Sequence, residues 1–295
     1  MPKEKISTQK QYDMRTRIQA IQGKPLPAAT VHKGMRDLEQ KLERQRETQQ
    51  RKGATSQYLQ QFLSPLYDPI LKDPKARDAM FKHRAVVREN RRRPERGKFR
   101  PLPSQPGEPQ VKGPFFTTVS VPPYNYDFSW SNGSGHKDPG NFGALVSTAE
   151  GAEAGAGGVG VFFSPMADRL IVRFSAFVRY SYEWKIDSSF LPSRSSGFIG
   201  LFIQSFDLSG GDNRQELDSR TSLWDDGTSG TNSDGASAED QLLSPEVFFY
   251  ARTSRQYVLW VWGGVSGYGD NDNGPISSYA LADLVATVSF MVIDQ

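Results

Sequence analysis

The chain has 295 residues, 37% hydrophobic and 23% charged, with a net charge of +3 and no cysteine. This composition admits one large or two modest domains with a true core, and it excludes disulfides, thiolate catalysis and sulfur-ligated metal sites. No apolar run follows the basic first residues, so no secretory leader is legible; the most apolar tract, residues 280–293, is interrupted by Asp283 and too short for a bilayer, so a soluble chain with no membrane span is expected.

The small net charge conceals a division. Residues 1–113 hold 26 Lys and Arg against 12 Asp and Glu, a balance of +14, whereas residues 114–295 hold 10 against 21, a balance of −11. Of the 34 aromatic residues only six precede residue 114, and all five Trp follow it. The expected organisation is a basic arm with short helices over 1–100, a Pro-rich linker over 101–114, and an acidic β domain over 115–295.

In chain order, residues 1–32 are polar and without period, which predicts a segment ordered only by a partner. Residues 33–51 place Met35, Leu38 and Leu42 at helical spacing, and the stripe then runs out into Gln45 and Gln49. Such a helix needs a surface to lie on. Tyr58, Leu59, Phe62, Leu63 and Leu66 form a compact apolar cluster bounded by prolines at 65, 69 and 74. Asp73 before Pro74 is a helix-start signal, and the helix it opens would carry Met80, His83 and Val87 on one side and end near Asn90. Arg91, Arg92, Arg93, Arg96, Lys98 and Arg100 follow. That density of cations favours an anionic partner: nucleic acid, an acidic protein surface, an anionic membrane face, or the acidic domain of this chain or a neighbouring copy. No zinc-ligand spacing or RNA-binding aromatic motif accompanies it. Prolines 103, 106, 109 and 114 then predict a stiff extended spacer.

Beyond residue 114 the period changes to two. Residues 169–186 alternate most clearly, with Leu170, Val172, Phe174, Ala176, Val178, Tyr180, Tyr182, Trp184 and Ile186 on one side. A strand of that length should bend or carry a bulge. Further strands are expected at 115–121, 124–130, 157–163, 197–207, 246–252, 256–265 and 284–293. About eight strands with Gly- and Asp-rich turns describe an antiparallel β-sandwich, and the length favours jelly-roll order over an immunoglobulin-like one. In residues 124–130, Tyr124, Tyr126, Phe128 and Trp130 occupy alternate positions, as a buried face demands. In 257–262 both registers are apolar, Val258, Trp260 and Trp262 against Tyr257, Leu259 and Val261; that strand should be covered on both sides.

Catalytic signals are sparse. His136, near Ser134 and Asp138, sits in a Gly-rich loop, where adjacency does not make a triad. Glu183 lies on the polar side of 169–186 and Glu246 starts a predicted strand, and neither shows a partner for glycoside cleavage. Residues 151–161 are rich in Gly but lack the P-loop Lys-Ser/Thr, and read as a flexible loop entering a strand. Asp225, Asp226, Asn232, Asp234, Asp270 and Asp272 are oxygen ligands of the kind Ca²⁺ takes, yet Asp, Asn and Gly also build plain turns, which is the favoured reading; no cofactor is expected. Trp224, Tyr268, Asp270 and Asp272 are the candidate ligand-binding residues, with carbohydrate as the ligand that stacks on such rings.

The sequence therefore predicts a non-enzymatic structural or adhesion-type component of a larger assembly. Its β-sandwich head would be a binding module docked through a basic arm to other macromolecules or to its own copies. The alternatives are a capsid-like jelly-roll subunit with a nucleic-acid-binding arm, and a glycan-active hydrolase.

Overall fold

The computed structural model describes residues 25–72, 75, 117–149, 151–186, 192–209, 211–229, 232–269 and 278–295. One helix, α1 (Ala28–Lys72), precedes twelve strands. These are β1 (Thr117–Ser120), β2 (Tyr126–Ser131), β3 (Gly133–His136), β4 (Asn141–Thr148), β5 (Gly151–Phe163) and β6 (Arg169–Ile186), followed by β7 (Pro192–Asp207), β8 (Asn213–Ser229), β9 (Asn232–Leu243), β10 (Glu246–Tyr250), β11 (Arg255–Gly269) and β12 (Ser278–Asp294). The helix start expected at Asp73–Pro74, the run from Arg91 to Arg100 and the proline spacer lie outside the described residues.

Every pairing is antiparallel, and the strands form two sheets. The seven-stranded sheet runs β10-β6-β12-β4-β3, with β9 sharing the β6 edge and β1 the β12 edge; the five-stranded sheet runs β2-β5-β11-β7-β8. The long strands give β9-β6-β12-β4 facing β8-β7-β11-β5, which is jelly-roll order. The antiparallel jelly-roll sandwich expected from the sequence is the fold of this domain.

The core between the sheets follows the alternation of β6. Leu170, Val172, Phe174, Ala176, Val178 and Trp184 are buried, and the expected irregularities occur in its partners. Between Val288 and Phe290, β12 carries an extra residue against Ala176 and Ser175 of β6. That bulge shifts the buried register from Leu284, Ala286 and Val288 to Met291 and Ile293, so both halves of the strand face inward.

A second core lies on the outer side of the five-stranded sheet. Val31, Met35, Leu38 and Leu42 of α1 pack with Tyr126, Phe128, Phe162, Phe202, Phe206, Val258, Trp260 and Trp262. The two registers of β11 thus divide as predicted, with Tyr257, Leu259 and Val261 in the inter-sheet core and Val258, Trp260 and Trp262 under the helix. Tyr124 belongs to the first core, while Tyr126 and Phe128 belong to the second. The aromatic row at 124–130 is interior, and most of it is the floor beneath α1.

Contacts along α1 fix its course. Tyr126 donates to the Leu26 carbonyl at 2.9 Å, the His32 ring meets the Asp127 carbonyl at 3.0 Å, and Gln49 Nε2 donates to Ser266 Oγ at 3.4 Å. From Val31 to Gln49 a helix rises about 27 Å, and from Val258 to Ser266 a strand spans about 26 Å, so α1 follows β11. Where the stripe turns to Gln45 and Gln49 the sheet turns polar too, at Ser196 and Ser266, whose hydroxyls lie 2.7 Å apart. Close approach depends on Gly34: a Cβ there would stand 2.5 Å from Gln204 Nε2 and 2.8 Å from Asn213, whose amide donates to the Gly34 carbonyl at 3.2 Å.

The compact unit containing the sandwich includes the chain up to Ser56 as well as residues 115–295. The composition change near residue 114 is therefore not a packing boundary for the first part of α1. Residues 57–114 form the second unit, of which residues 57–72 and 75 are described and helical. Pro65 and Pro69, expected to close an apolar cluster, lie within α1.

Residues 151–161 correct the expectation of a flexible loop. They are the buried strand β5, paired with β2 and with β11. Glycine is required there by bulk on the neighbouring strand: a Cβ on Gly160 would come within 2.8 Å of the Trp260 ring. Strands β3, β4, β8 and β9 also arise where no strand was expected.

Candidate interaction surface

The two sheets differ on their outer sides. Over the five-stranded sheet lies α1, and beyond it Arg220, held by Asp218 at 3.0 and 2.7 Å, lies 4.8 Å over the Phe198 ring and 4.7 Å over the Trp262 ring. Over the seven-stranded sheet the described residues place no such cover.

Among the described residues eight large apolar side chains stand exposed on its strands, Val119 of β1 and Leu145 of β4 included. Ile171 and Phe177 come from the polar register of β6, Leu242 from β9, Phe248 and Tyr250 from β10, and Phe290 from β12. The ladders place them together: Phe248 lies opposite Ile171, and Leu242 and Thr287 flank Phe177. Phe248 is 51% and Tyr250 67% exposed, and their rings meet edge to face at 4.8 Å. Charges are interleaved, with Arg173 reaching Asp294 at 3.1 Å and Glu246 at 3.8 Å. Exposed apolar side chains with charges interleaved make this sheet face the candidate interaction surface, and β10 adds an edge of the sheet.

The residues singled out from sequence have other placements. Trp224 is 6% exposed; its ring stacks on Tyr180 at 5.0 Å and on Tyr182 at 5.3 Å, and its indole N–H donates to Ser195 Oγ at 2.9 Å. The ring is thus engaged within the sandwich. Tyr268 is buried near the end of β11, opposite Arg194 and Ala152. Asp270 and Asp272 lie outside the described residues, as do Arg91, Arg92, Arg93, Arg96, Lys98 and Arg100.

The structure corrects the favoured reading of plain turns: Asp225 and Asp226 lie on β8 and Asn232 and Asp234 on β9, and the acids described next are engaged within the protein itself. Asp225 receives a bidentate bond from Arg194 at 2.8 and 2.7 Å, and Asp226 accepts from the Gly227 N–H at 2.9 Å. Asp207 accepts from Ser209 Oγ and the Gly211 N–H, both at 2.8 Å, and these bonds hold its carboxyl below the usual carboxylate range. Asp212, bonded by Arg255 and Arg214, is lowered in the same way. Arg255 is buried and anchors this turn through Ser205 Oγ at 2.9 Å and Asp212 Oδ2 at 2.9 Å. Among the described residues no three His, Asp or Glu cluster as a metal site would require. Glu183 accepts from the Tyr279 hydroxyl. Since Glu246 lies opposite Arg173 of β6, ten residues from Glu183, the two carboxylates are about 33 Å apart along the strand, far beyond the spacing of a glycosidase pair.

The open face escaped the sequence reading, but a signal existed. Ile171 and Phe177 interrupt the otherwise polar register of β6, and Val247–Tyr250 is apolar in both registers. A solvated sheet face needs neither.

The class defined by this architecture is a helix-roofed jelly-roll β-sandwich. No family model matches the sequence, and no curated protein matches it. Among solved structures, the chain is similar to one from a study of promiscuous carbohydrate-binding modules of the β-sandwich superfamily, at 9% identity and TM-score 0.19, covering 61% of this chain and 58% of that one. It is similar to TmCBM61, solved with β-1,4-galactotriose, at 13% identity and TM-score 0.16, covering 61% and 88%. A structure of infectious bursal disease virus matches at 11% identity and TM-score 0.17, covering 66% of this chain and 42% of that one. Among the described residues no helix is long and apolar enough to cross a membrane.

Proposed function

We propose that the protein is a non-enzymatic structural component of a larger assembly, docking through the outer face of its seven-stranded sheet. The observation that carries this reading is the contrast between the sheets: one outer face is roofed by α1, and the other presents Ile171, Phe177, Leu242, Phe248, Tyr250 and Phe290 to solvent. What supports a role without catalysis is the separation of Glu183 from Glu246. Carbohydrate, if bound, would meet Phe248 and Tyr250 rather than the stacked Trp224. The test replaces Phe177 and Leu242 together by Lys in the full chain and follows sedimentation. The wild type is expected to sediment as an assembly, or with a bound macromolecule, and the variant as a folded monomer. A wild-type chain that runs as a lone monomer at every concentration overturns the reading.

A second reading is favoured by the charge division, +14 over residues 1–113 against −11 beyond, on a jelly roll: a capsid-like subunit whose basic arm neutralises nucleic acid. Binding of the full chain to nucleic acid should then fall steeply with salt, as counterion release requires. Binding that is absent, or indifferent to salt, removes this reading.

A further inference from the structure

Strand β10 is the outermost strand of the seven-stranded sheet, and among the described residues it pairs only with β6. On the β6 side the Ala251 N–H donates to the Asp168 carbonyl at 2.9 Å. Alternation then turns the backbone N–H and C=O of Phe248 and Tyr250 away from β6, toward the open edge. The side chains of these two residues are the most exposed rings of the apolar face.

Residues 246–252 read Glu-Val-Phe-Phe-Tyr-Ala-Arg. Set against its own reverse, the segment places Glu246 opposite Arg252, Val247 opposite Ala251, Phe248 opposite Tyr250 and Phe249 opposite itself. We infer that β10 is a self-docking edge, through which two copies of this chain pair antiparallel about a two-fold axis at Phe249 and merge their seven-stranded sheets. This rests on the reading of that sheet as an assembly element, and it names a second copy as the occupant of its β10 edge.

Three features agree with this register. Phe248 and Tyr250 fall in hydrogen-bonded positions, so each of the two symmetry-related pairs exchanges two N–H···O bonds. Their rings become cross-strand neighbours on one face, where aromatic pairs stabilise a sheet. Opposite charges meet at both ends, because in an isologous interface every contact occurs twice. Moving the two-fold axis to Phe248 would set Glu246 against Tyr250 and Arg252 against Ser244, losing both ion pairs, so the charges select the register. The ladder is also self-limiting. Pro245 has no N–H to extend it, and at the other end the Arg252 N–H donates to the Tyr257 hydroxyl at 2.8 Å. The pairing therefore closes at a dimer and does not propagate as a fibre.

The absence of native cysteine makes the test unambiguous. Full-length Phe248→Cys and Tyr250→Cys chains are prepared separately, then mixed under mild oxidation. Hydrogen-bonded pairs have Cα atoms about 5.5 Å apart, which a disulfide spans. The mixture is expected to give a disulfide-linked dimer in far higher yield than either chain alone. Arg252→Glu, which sets like charges against each other, should weaken dimerisation of the otherwise native chain about tenfold or more with an unchanged melting temperature. Cross-linking no greater in the mixture than in the single variants overturns the inference, as does self-cross-linking of Phe248→Cys. If cross-linking fails while the Phe177 and Leu242 double variant still dissolves an assembly, the β10 dimer falls and the docking role of the face stands. If neither effect is seen, both fall.

Discussion

Both outer sheet faces of this sandwich carry large apolar side chains, but these meet different fates. On the five-stranded sheet, Trp260, Trp262, Phe162 and Phe202 are buried beneath Met35, Leu38 and Leu42. On the seven-stranded sheet, Phe177, Phe248 and Tyr250 remain open. The difference teaches that an apolar face is explained only once its cover is identified. For the first face the cover is in the same chain, more than two hundred residues before β11; for the second it is not among the described residues.

Substitutions can break or sharpen this contrast. The largest effect is expected from Leu38→Asp, which sets an unpaired carboxylate against Trp260 and its neighbours; a loss above about 4 kcal/mol should appear in denaturant unfolding. Met35→Ala leaves a cavity in the same layer and should cost about 2–5 kcal/mol by the same measurement. Tyr126→Phe removes the bond to Leu26, worth about 1 kcal/mol. It should also change the alkaline limb of stability. Burial pushes the Tyr126 hydroxyl up to about 12, against the pull of that bond. The unfolded phenol ionises near pH 10 while the folded one stays neutral. The corresponding stability is full below pH 10 and fades as pH rises toward 12, so the variant should lose less than the wild type across that window. The smallest effect on stability belongs to the open face: Phe177→Ser should shift unfolding by no more than about 0.5 kcal/mol, while reducing association measured by sedimentation. A Phe177→Ser chain destabilised as much as Met35→Ala would mean that this face, too, has a cover within the chain.

Much of the fold was legible because alternation is strict where one face is buried. Residues 169–186 were read with the bounds of β6, and the two registers of β11 were read as a doubly covered strand. The stripe at Met35, Leu38 and Leu42 demanded a partner surface without revealing which one. Strands β8 and β9 were hidden by their composition: their Asp, Ser and Gly read as turns, yet backbone ladders from β7 and β6 hold them. β5 was expected only from residue 157, since its glycines read as a loop, yet they make room for residues of neighbouring strands such as Trp260, about a hundred residues away in sequence. The site was less legible. An exposed Trp and a buried Trp look alike in a sequence, and Trp224 is stacked on Tyr180 and Tyr182. The open face was missed because Ile171 and Phe177 are only two exceptions in a polar register, and their neighbours Leu242, Phe248 and Phe290 come from other strands.

Strand β12 is the last of the twelve, yet it lies at the centre of its sheet, bonded to β6 along one side and to β4 and β1 along the other. Residues 1–277 are therefore synthesised before β4 and β6 can be joined. Until residues 278–294 arrive, the greasy inner surfaces of both must be kept from other nascent chains, and such long-range closure is slow. Closure of the seven-stranded sheet thus waits on its central strand, whose arrival joins β4 to β6.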